Sequence, residues 1–242
     1  MSGFRERIRR AAAKGGPIVL AADYDSGSGA VSRATRHVEA LHPHICAIKL
    51  NLHLLLPLGR SEISEITRAA RRRGLLAIAD IKLNDIGNTN RAAAGALWGA
   101  GFDAVIANPI MGKEELKELI SGAHRRGKGV IALCHMSSPG AAASYEMGAG
   151  GGKKFYEVFM DWALEAGADG VVAGATFPET IRYCSRRAGG KLDVYSPGIG
   201  AQGGSMREAI SAGAAYPIVG RTIIGARNPA AAAQRLAEDT QS

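Results

Sequence analysis

Apolar residues occur along the chain in short continuous runs, and a polar or glycine-rich turn follows each run. We count eight such runs, at 17–23, 44–50, 75–83, 102–107, 129–134, 169–174, 192–196 and 216–220. A strand with one solvent face alternates polar and apolar residues, whereas a strand buried on both faces is continuously apolar. The pattern therefore predicts eight parallel strands that are covered on both sides.

The segments between these runs place apolar residues at helical spacing. In 61–74, for example, Ile63, Ile66 and Ala70 fall on one stripe. Eight strand–helix units predict a single α/β domain over residues 1–242 with a (β/α)8 TIM barrel fold, for which about 250 residues is typical. A doubly wound open sheet is the alternative, but the turn after the first run fits its phosphate-binding glycine pattern poorly.

Composition and charge exclude several classes of protein. No apolar run reaches the ~18 residues that a membrane span requires. The cysteines Cys46, Cys134 and Cys184 lack CxxC spacing, so we expect reduced thiols and a cytoplasmic location, with no zinc site. Much of the net charge of +8 lies in arginine groups at predicted helix ends, where cations complement the helix dipole. We therefore expect neither a nucleic-acid nor a membrane partner.

Charged residues interrupt the third apolar run at its carboxyl end. The stretch ADIKLNDIGNTN, 79–90, carries Asp80, Lys82 and Asp85. Asp80 and Lys82 are two residues apart, so their side chains are predicted to share one face of a strand. Burying either charge alone is costly, whereas a buried pair is tolerated. A lone D-x-K is therefore most simply a structural ion pair. Other charged residues at the same end of the barrel would instead indicate a catalytic array.

Other runs also end in polar residues: Asp23 after the first, Lys49 in the second, Ser137 after the fifth and Arg221 after the eighth. The active site of a (β/α)8 barrel lies at the carboxyl ends of its strands, so this convergence favours a catalytic array. The glycine-rich stretch SPGIGAQGG, 196–204, and Arg221 together predict a phosphate site, because such turns present backbone N–H groups. Tight turns beside a surface arginine are the alternative.

The motif Asp-x-Lys-x-x-Asp-Ile-x-x-Thr is present as Asp80, Lys82, Asp85, Ile86 and Thr89. It resembles the signature of the orotidine 5′-monophosphate decarboxylase family, and the glycine-rich stretches after the last two runs resemble the phosphate region of that family. The resemblance covers nearly the whole chain. It implies a barrel enzyme of pyrimidine synthesis that converts orotidine 5′-monophosphate to uridine 5′-monophosphate (UMP) with no metal and no organic cofactor.

The resemblance also implies roles for individual residues. Lys82 would donate a proton to pyrimidine C6 inside an array completed by Lys49, Asp80 and Asp85. Loss of CO2 leaves a carbanion with no adjacent carbonyl, and a fixed ammonium stabilises that charge. The implied substrate-binding residues are Asp23 and Lys49 at the ribose, Ile86, Thr89, Ser137 at the pyrimidine, Pro197, Gln202, Gly220 and Arg221, with Gln202 and Arg221 at the phosphate.

A homodimer with shared active sites is also implied, in which Asp85 and Thr89 reach the ribose of the partner's site. One departure from close relatives is Ser138, where a histidine is expected. The stretch 137–152 is rich in glycine and alanine, and we expect it to be a lid that becomes ordered over the pyrimidine.

Two rival functions remain. A magnesium-dependent 3-keto-L-gulonate 6-phosphate decarboxylase or hexulose phosphate synthase shares the D-x-K-x-x-D core. In that branch Ala-Gly follows the second Asp and an acidic metal ligand follows the second strand, whereas this chain has Ile86-Gly87, Asn51 and His53. The second rival is a non-catalytic nucleotide-binding barrel, which the intact charged array disfavours.

Overall fold

A closed barrel of eight parallel strands forms the centre of the molecule. The computed structural model describes residues 2–24 and 29–240. The strands pair in chain order, and the first also pairs with the eighth. They are β1 (Val19–Ala21), β2 (Ala47–Asn51), β3 (Leu76–Leu83), β4 (Ala104–Ala107), β5 (Gly129–His135), β6 (Gly170–Ala173), β7 (Asp193–Pro197) and β8 (Tyr216–Val219). The predicted TIM barrel is confirmed, and the open-sheet alternative is wrong.

Helices surround the barrel, and at least one follows every strand. The helices are α1 (Phe4–Gly15), α2 (Ala30–Leu41), α3 (Leu52–Leu55), α4 (Arg60–Arg72), α5 (Gly87–Gly99), α6 (Lys113–His124), α7 (Ala142–Tyr145), α8 (Phe155–Ala166), α9 (Pro178–Ala188), α10 (Met206–Ser211), α11 (Arg221–Ile224) and α12 (Pro229–Asp239), with 3-10 turns at Pro109–Met111 and Pro139–Ala141. Within the described ranges, no helix is long and apolar enough to cross a membrane.

The strands are buried along nearly their whole length, as their continuous apolar runs predict. The first strand is shorter than its run, because 17–23 was expected and only Val19–Ala21 is extended. The N–H of Asp23 donates to the carbonyl of Ala21 at 3.0 Å, and this tight local turn ends the strand. Asp23 therefore lies in the loop above β1, where its side chain can face the carboxyl end of the barrel.

Helix α1 covers the amino ends of several strands. The ring of Phe4 occupies the space where a side chain at Gly129 would lie. Arg5 pairs with Asp193 at 3.2 Å, and Arg7 pairs with Asp103 at 2.6 Å. Because apolar packing and two ion pairs hold α1 across these strands, the open end of the barrel is the carboxyl end.

Candidate active site

A cavity of about 400 Å³ lies at the carboxyl ends of the strands. Its size falls within the usual range for a small-molecule site. Nine of the twelve residues predicted for the site line it: Asp23, Lys49, Asp80, Lys82, Ser137, Pro197, Gln202, Gly220 and Arg221. The other three, Asp85, Ile86 and Thr89, lie outside its lining. Residues from the first to the eighth strand thus meet in one space, as the barrel topology requires.

Asp80 joins the two lysines of the cavity. Its Oδ2 contacts Lys49 Nζ at 2.7 Å, and its Oδ1 contacts Lys82 Nζ at 2.9 Å. Asp80 and Lys49 are almost completely buried, whereas the Lys82 side chain is 40% exposed. Burial alone would raise the pKa of Asp80, but the attraction of Lys49 and Lys82 holds that pKa below its ordinary value. Asp80 is therefore a carboxylate that orients an accessible ammonium.

The backbone of Lys82 is left-handed, with φ of 49°. Among the described residues other than glycine, none besides Lys82 has a positive φ. The pairing of β3 with β4 also shifts register between Ala79 and Leu83. The alternation of side chains along a regular strand was expected to bring Lys82 beside Asp80. The contact is confirmed, but regular alternation does not fully explain it. The irregular strand end aims Lys82, and such a conformation costs about 1–2 kcal/mol for a residue with a side chain.

Asn51 is a site residue that sequence reasoning missed. Its Oδ1 accepts a hydrogen bond from Lys49 Nζ, and its Nδ2 donates to Asp23 Oδ1 at 2.6 Å. It is the last residue of β2 and lies beside Asp80 in the register of β2 and β3. Its position two residues after Lys49, on the same face of the strand, was a usable signal. Asn51 extends the polar chain from Asp80 through Lys49 to Asp23.

Gly220 permits the close approach of β8 to Asp23. A Cβ atom at Gly220 would lie 2.5 Å from Asp23 Oδ2 and 3.2 Å from the Ala21 carbonyl oxygen. The first contact is shorter than any real Cβ contact, so a larger residue would displace the carboxylate. Gly220 therefore sets the position of Asp23 and need not touch a ligand to do so.

The β7 and β8 end of the cavity has a different character. Gly198 lies against Ser137, since a Cβ atom at Gly198 would come within 2.7 Å of the Ser137 Cβ. Gln202 and Arg221 are exposed, and their side chains form no hydrogen bond or ion pair with any residue in 2–24 or 29–240. Because both side chains line the cavity and are left without a partner by 2–24 and 29–240, this end suits an anionic ligand.

The three predicted residues outside the cavity follow β3. The Asp85 carboxylate accepts a hydrogen bond from the Ile86 N–H at 2.7 Å, and the buried Asn90 accepts one from the Asp85 N–H at 3.0 Å. The Ile86 side chain and Thr89 are exposed. Asn90 thus fixes the conformation of this turn, and the role of Asp85, Ile86 and Thr89 in a partner's site stays a prediction.

The segment predicted as a lid is partly ordered by its own packing. It contains the 3-10 turn Pro139–Ala141 and α7, and Ala141 and Tyr145 are buried. Ser138 lines the cavity, as does Ser137. The composition of 137–152 suggested a stretch that would not pack firmly, but the burial of Ala141 and Tyr145 shows that part of it packs against the rest of the protein. Closure over a ligand stays a prediction.

Cys46, Cys134 and Cys184 are buried free thiols, as expected. Burial and the neighbouring Cys184 raise the pKa of Cys134. In the part of the chain that the structure describes, no group of three or more His, Cys, Asp or Glu side chains is arranged to hold a metal ion.

Known proteins with similar sequences and folds share one description. The family model described as "Orotidine 5'-phosphate decarboxylase / HUMPS family" matches residues 16–236. The orotidine 5′-phosphate decarboxylase of Methanosarcina mazei is 39% identical over 209 residues, which cover 86% of this chain and 90% of that protein. The chain superposes with a TM-score of 0.81 on the decarboxylase from Methanocaldococcus jannaschii complexed with the inhibitor BMP, at 29% identity, covering 93% of this chain and 99% of that chain. It matches Leishmania donovani UMP synthase with a TM-score of 0.88 at 27% identity, covering 100% of this chain and 56% of that chain.

Proposed function

The chain belongs to the orotidine 5′-phosphate decarboxylase / HUMPS family, and on this premise we propose that it decarboxylates orotidine 5′-monophosphate to UMP, a step of pyrimidine synthesis. The observation that carries the proposal is the ion-pair chain Lys49–Asp80–Lys82 at the cavity wall. Loss of CO2 needs a fixed positive charge at the carbon that becomes a carbanion, and Lys82 offers an accessible one.

Lys82 protonates C6 in this mechanism. Asp80 is ionised because Lys49 and Lys82 hold its pKa low. Its negative charge lies beside the Lys82 ammonium and fixes the direction of that group. The left-handed backbone at Lys82 aims the side chain before substrate arrives. Charges that are already in place need no reorganisation as the transition state forms, which is the main source of electrostatic catalysis. The chain's own side chains therefore supply both the stabilising charge and the proton.

The rest of the substrate is held away from the reacting carbon. Asp23 and Lys49 bind the ribose hydroxyls, and Ser137 contacts the pyrimidine. Gln202 and Arg221 hold the phosphate, beside the turns at Pro197 and Gly220. Among the described residues, the side chains of Gln202 and Arg221 have no hydrogen-bond or ion-pair partner, and this supports the assignment because a phosphate would satisfy both donors. Binding energy gained at the phosphate can then drive closure around the pyrimidine.

We further propose that the chain acts as a cytoplasmic homodimer of single-domain barrels. Asp85 and Thr89 would reach the ribose of the partner's site. Their exposure on the rim, outside their own cavity, supports this proposal. The apolar side chain of Ile86 is 61% exposed between them, as an interface residue would be in a free subunit.

The magnesium-dependent branch of the family is the rival function. The residues at the end of β2 help to distinguish the two functions, because the magnesium-dependent branch is expected to have an acidic metal ligand there. This chain has Asn51, whose side chain is already bonded to Lys49 and Asp23. An amide in this arrangement completes the polar chain and brings no charge for a divalent cation. The local geometry therefore favours the decarboxylation of orotidine 5′-monophosphate.

A turnover assay tests the proposal. Purified protein is mixed with orotidine 5′-monophosphate, and the loss of orotate absorbance is followed with and without EDTA. We expect full turnover in both samples and UMP as the product. No turnover of this substrate would overturn the proposal, and activity lost with EDTA and restored by Mg²⁺ would favour the rival branch.

A further inference from the structure

The side chain of Asn90 is buried in the first turn of α5, just after the chain leaves β3. The residue is 1% exposed, whereas Asp85, five positions earlier, is exposed. Burying an amide is costly unless its polar groups are hydrogen-bonded. The partners of the Asn90 amide therefore indicate its role.

Two of the three hydrogen bonds of this amide are made with the backbone of Asp85. The Asn90 Oδ1 accepts from the Asp85 N–H at 3.0 Å, and the Asn90 Nδ2 donates to the Asp85 carbonyl oxygen. Nδ2 also lies 3.3 Å from the sulfur of Met111, in the 3-10 turn after β4. One buried side chain thus binds both backbone groups of a single exposed residue.

The hydrogen-bond ladder of the barrel ends before Asp85. β3 ends at Leu83, and its last pairing with β4 joins Leu83 to Ala107. The N–H of Asn108 then donates to the Leu83 carbonyl at 2.9 Å. Asp85 lies two residues further along, in neither a strand nor a helix. Asn90 supplies the acceptor and the donor that a neighbouring strand would have supplied, so the backbone of Asp85 is held beyond the end of the sheet.

The carboxylate of Asp85 is oriented by the same turn. Its Oδ1 accepts a hydrogen bond from the N–H of Ile86, the residue that caps the amino end of α5, at 2.7 Å. The backbone N–H of Asn90 donates to the Ile86 carbonyl at 2.9 Å. Within 2–24 and 29–240, the Oδ2 of Asp85 forms no hydrogen bond or ion pair. The turn therefore fixes one carboxylate oxygen and leaves the other available to a ligand.

We propose that Asn90 is a positioning residue, which holds the backbone of Asp85 so that its carboxylate enters the partner's active site in the geometry that the reaction needs. The inference rests on the proposed function, in which Asp85 completes the array around Lys82 from the second subunit. Because Asp85 is exposed and lies outside the cavity of its own chain, packing orients its side chain only weakly. The buried amide of Asn90 supplies the missing rigidity through the backbone.

Amide hydrogen exchange, followed by NMR, tests the backbone link without an enzyme assay. Asn90→Ala should speed exchange of the Asp85 N–H at least about tenfold, because this N–H loses its acceptor. Thr67→Val is the matched control, since the buried Thr67 donates through Oγ1 to the carbonyl of Ala100, at the other end of α5, at 2.7 Å. Both variants lose a buried bond to the backbone and should have a lower Tm. Only Asn90→Ala should change the Asp85 amide, and native exchange there would overturn the proposal.

The catalytic readout compares the same two variants. Asn90→Ala should lower kcat by about a hundredfold, because a catalytic group displaced by about 1 Å can cost this much. Thr67→Val should keep the native kcat despite its lower Tm. Asn90→Ser retains a hydroxyl that can donate and accept, so its kcat should lie between those of native protein and Asn90→Ala, and it is the variant to use if Asn90→Ala does not fold. A native kcat in Asn90→Ala would contradict the positioning role.

Mixed dimers test whether Asn90 acts on the partner's site. Native protein is exchanged with a tenfold excess of the double variant Lys82→Ala/Asn90→Ala, so that about nine in ten native chains have a variant partner. The site that keeps Lys82 then receives Asp85 from a chain without Asn90, and activity per native chain should fall to about a tenth. Exchange with Lys82→Ala alone should leave this activity at the native value. Equal activity in the two mixtures would show that Asn90 does not act on the partner's site, and the proposal would be wrong.

The outcomes separate two kinds of failure. If native protein does not turn over orotidine 5′-monophosphate, the proposed function fails, and exchange of the Asp85 amide still decides whether Asn90 holds that residue. If turnover is present and Asn90→Ala matches Thr67→Val in kcat, the proposed function stands and the positioning role is wrong.

Discussion

The two ends of the cavity differ in how their charges are satisfied. At the β2–β3 end, Lys49, Asp80 and Lys82 are paired with one another, and Asn51 extends the chain to Asp23. At the β7–β8 end, the side chains of Gln202 and Arg221 have no partner among the described residues. We infer from this difference that the β2–β3 end is assembled before substrate binds, whereas the β7–β8 end is completed by the ligand. Preassembled charge favours catalysis, and unpaired donors favour binding.

Removing the ammonium from the assembled end should give the largest effect. Lys82→Ala should lower kcat by roughly 10⁴-fold or more, because both the stabilising charge and the proton donor are lost. UMP binding, measured by calorimetry, should stay close to native, since the lysine acts on charge that develops only during the reaction. Turnover within tenfold of native would show that this end does not carry the chemistry.

Removing the cation from the other end should give a smaller and more selective effect. Arg221→Ala should reduce kcat/KM for orotidine 5′-monophosphate by about a hundredfold, as expected for one charge-assisted contact to phosphate. The same variant should lose little on a substrate that lacks the phosphate. Equal losses on both substrates would mean that Arg221 supports the structure and does not recognise phosphate.

Asp85 and Thr89 allow a test of the assembled end, because that end is proposed to need these residues from a second subunit. Inactive Lys82→Ala and inactive Asp85→Ala are mixed and allowed to exchange subunits. Half of the dimers would be mixed, and each would have one intact site, so activity should recover to roughly a quarter of native. If exchange is complete by mass spectrometry and activity stays absent, Asp85 serves its own chain.

Asn51 should give the smallest effect in this series. Asn51→Ala removes one hydrogen bond to Asp23 and one from Lys49, so we expect KM to rise about fivefold and kcat to change by less than about threefold. Steady-state kinetics measure both. A collapse of kcat would show that Lys49 and Asp80 depend on Asn51 for their arrangement, and that the assembled end is less self-sufficient than its ion pairs indicate.

The sequence predicted the barrel and most of the cavity for physical reasons. Continuous apolar runs mark strands buried on both faces, and the topology then brings their carboxyl ends together. The spacing of Asp80 and Lys82 predicted their contact, although it did not predict the irregular strand end that produces it. The left-handed backbone of Lys82 could not be predicted, because propensity disfavours it and only the surrounding fold maintains it.

Other features depend on contacts between distant segments. The hydrogen bond from Asn51 to Asp23 joins the end of β2 to the loop after β1, and neither residue alone indicates it. The early end of β1 arises from a local turn at Asp23 that apolar content does not record. Such contacts are properties of the tertiary structure, so the pattern of residues predicts the elements better than the bonds between them.

Crystal structures of the protein with and without bound UMP would show which contacts exist before the ligand arrives. We predict that Asp80 contacts Lys49 and Lys82 in both structures, at distances close to 2.7 and 2.9 Å. We also predict that Arg221 and Gln202 acquire the phosphate as their partner in the complex. If the lysines paired with Asp80 only when UMP is bound, the catalytic end would be assembled by the ligand, and its preassembly would be wrong.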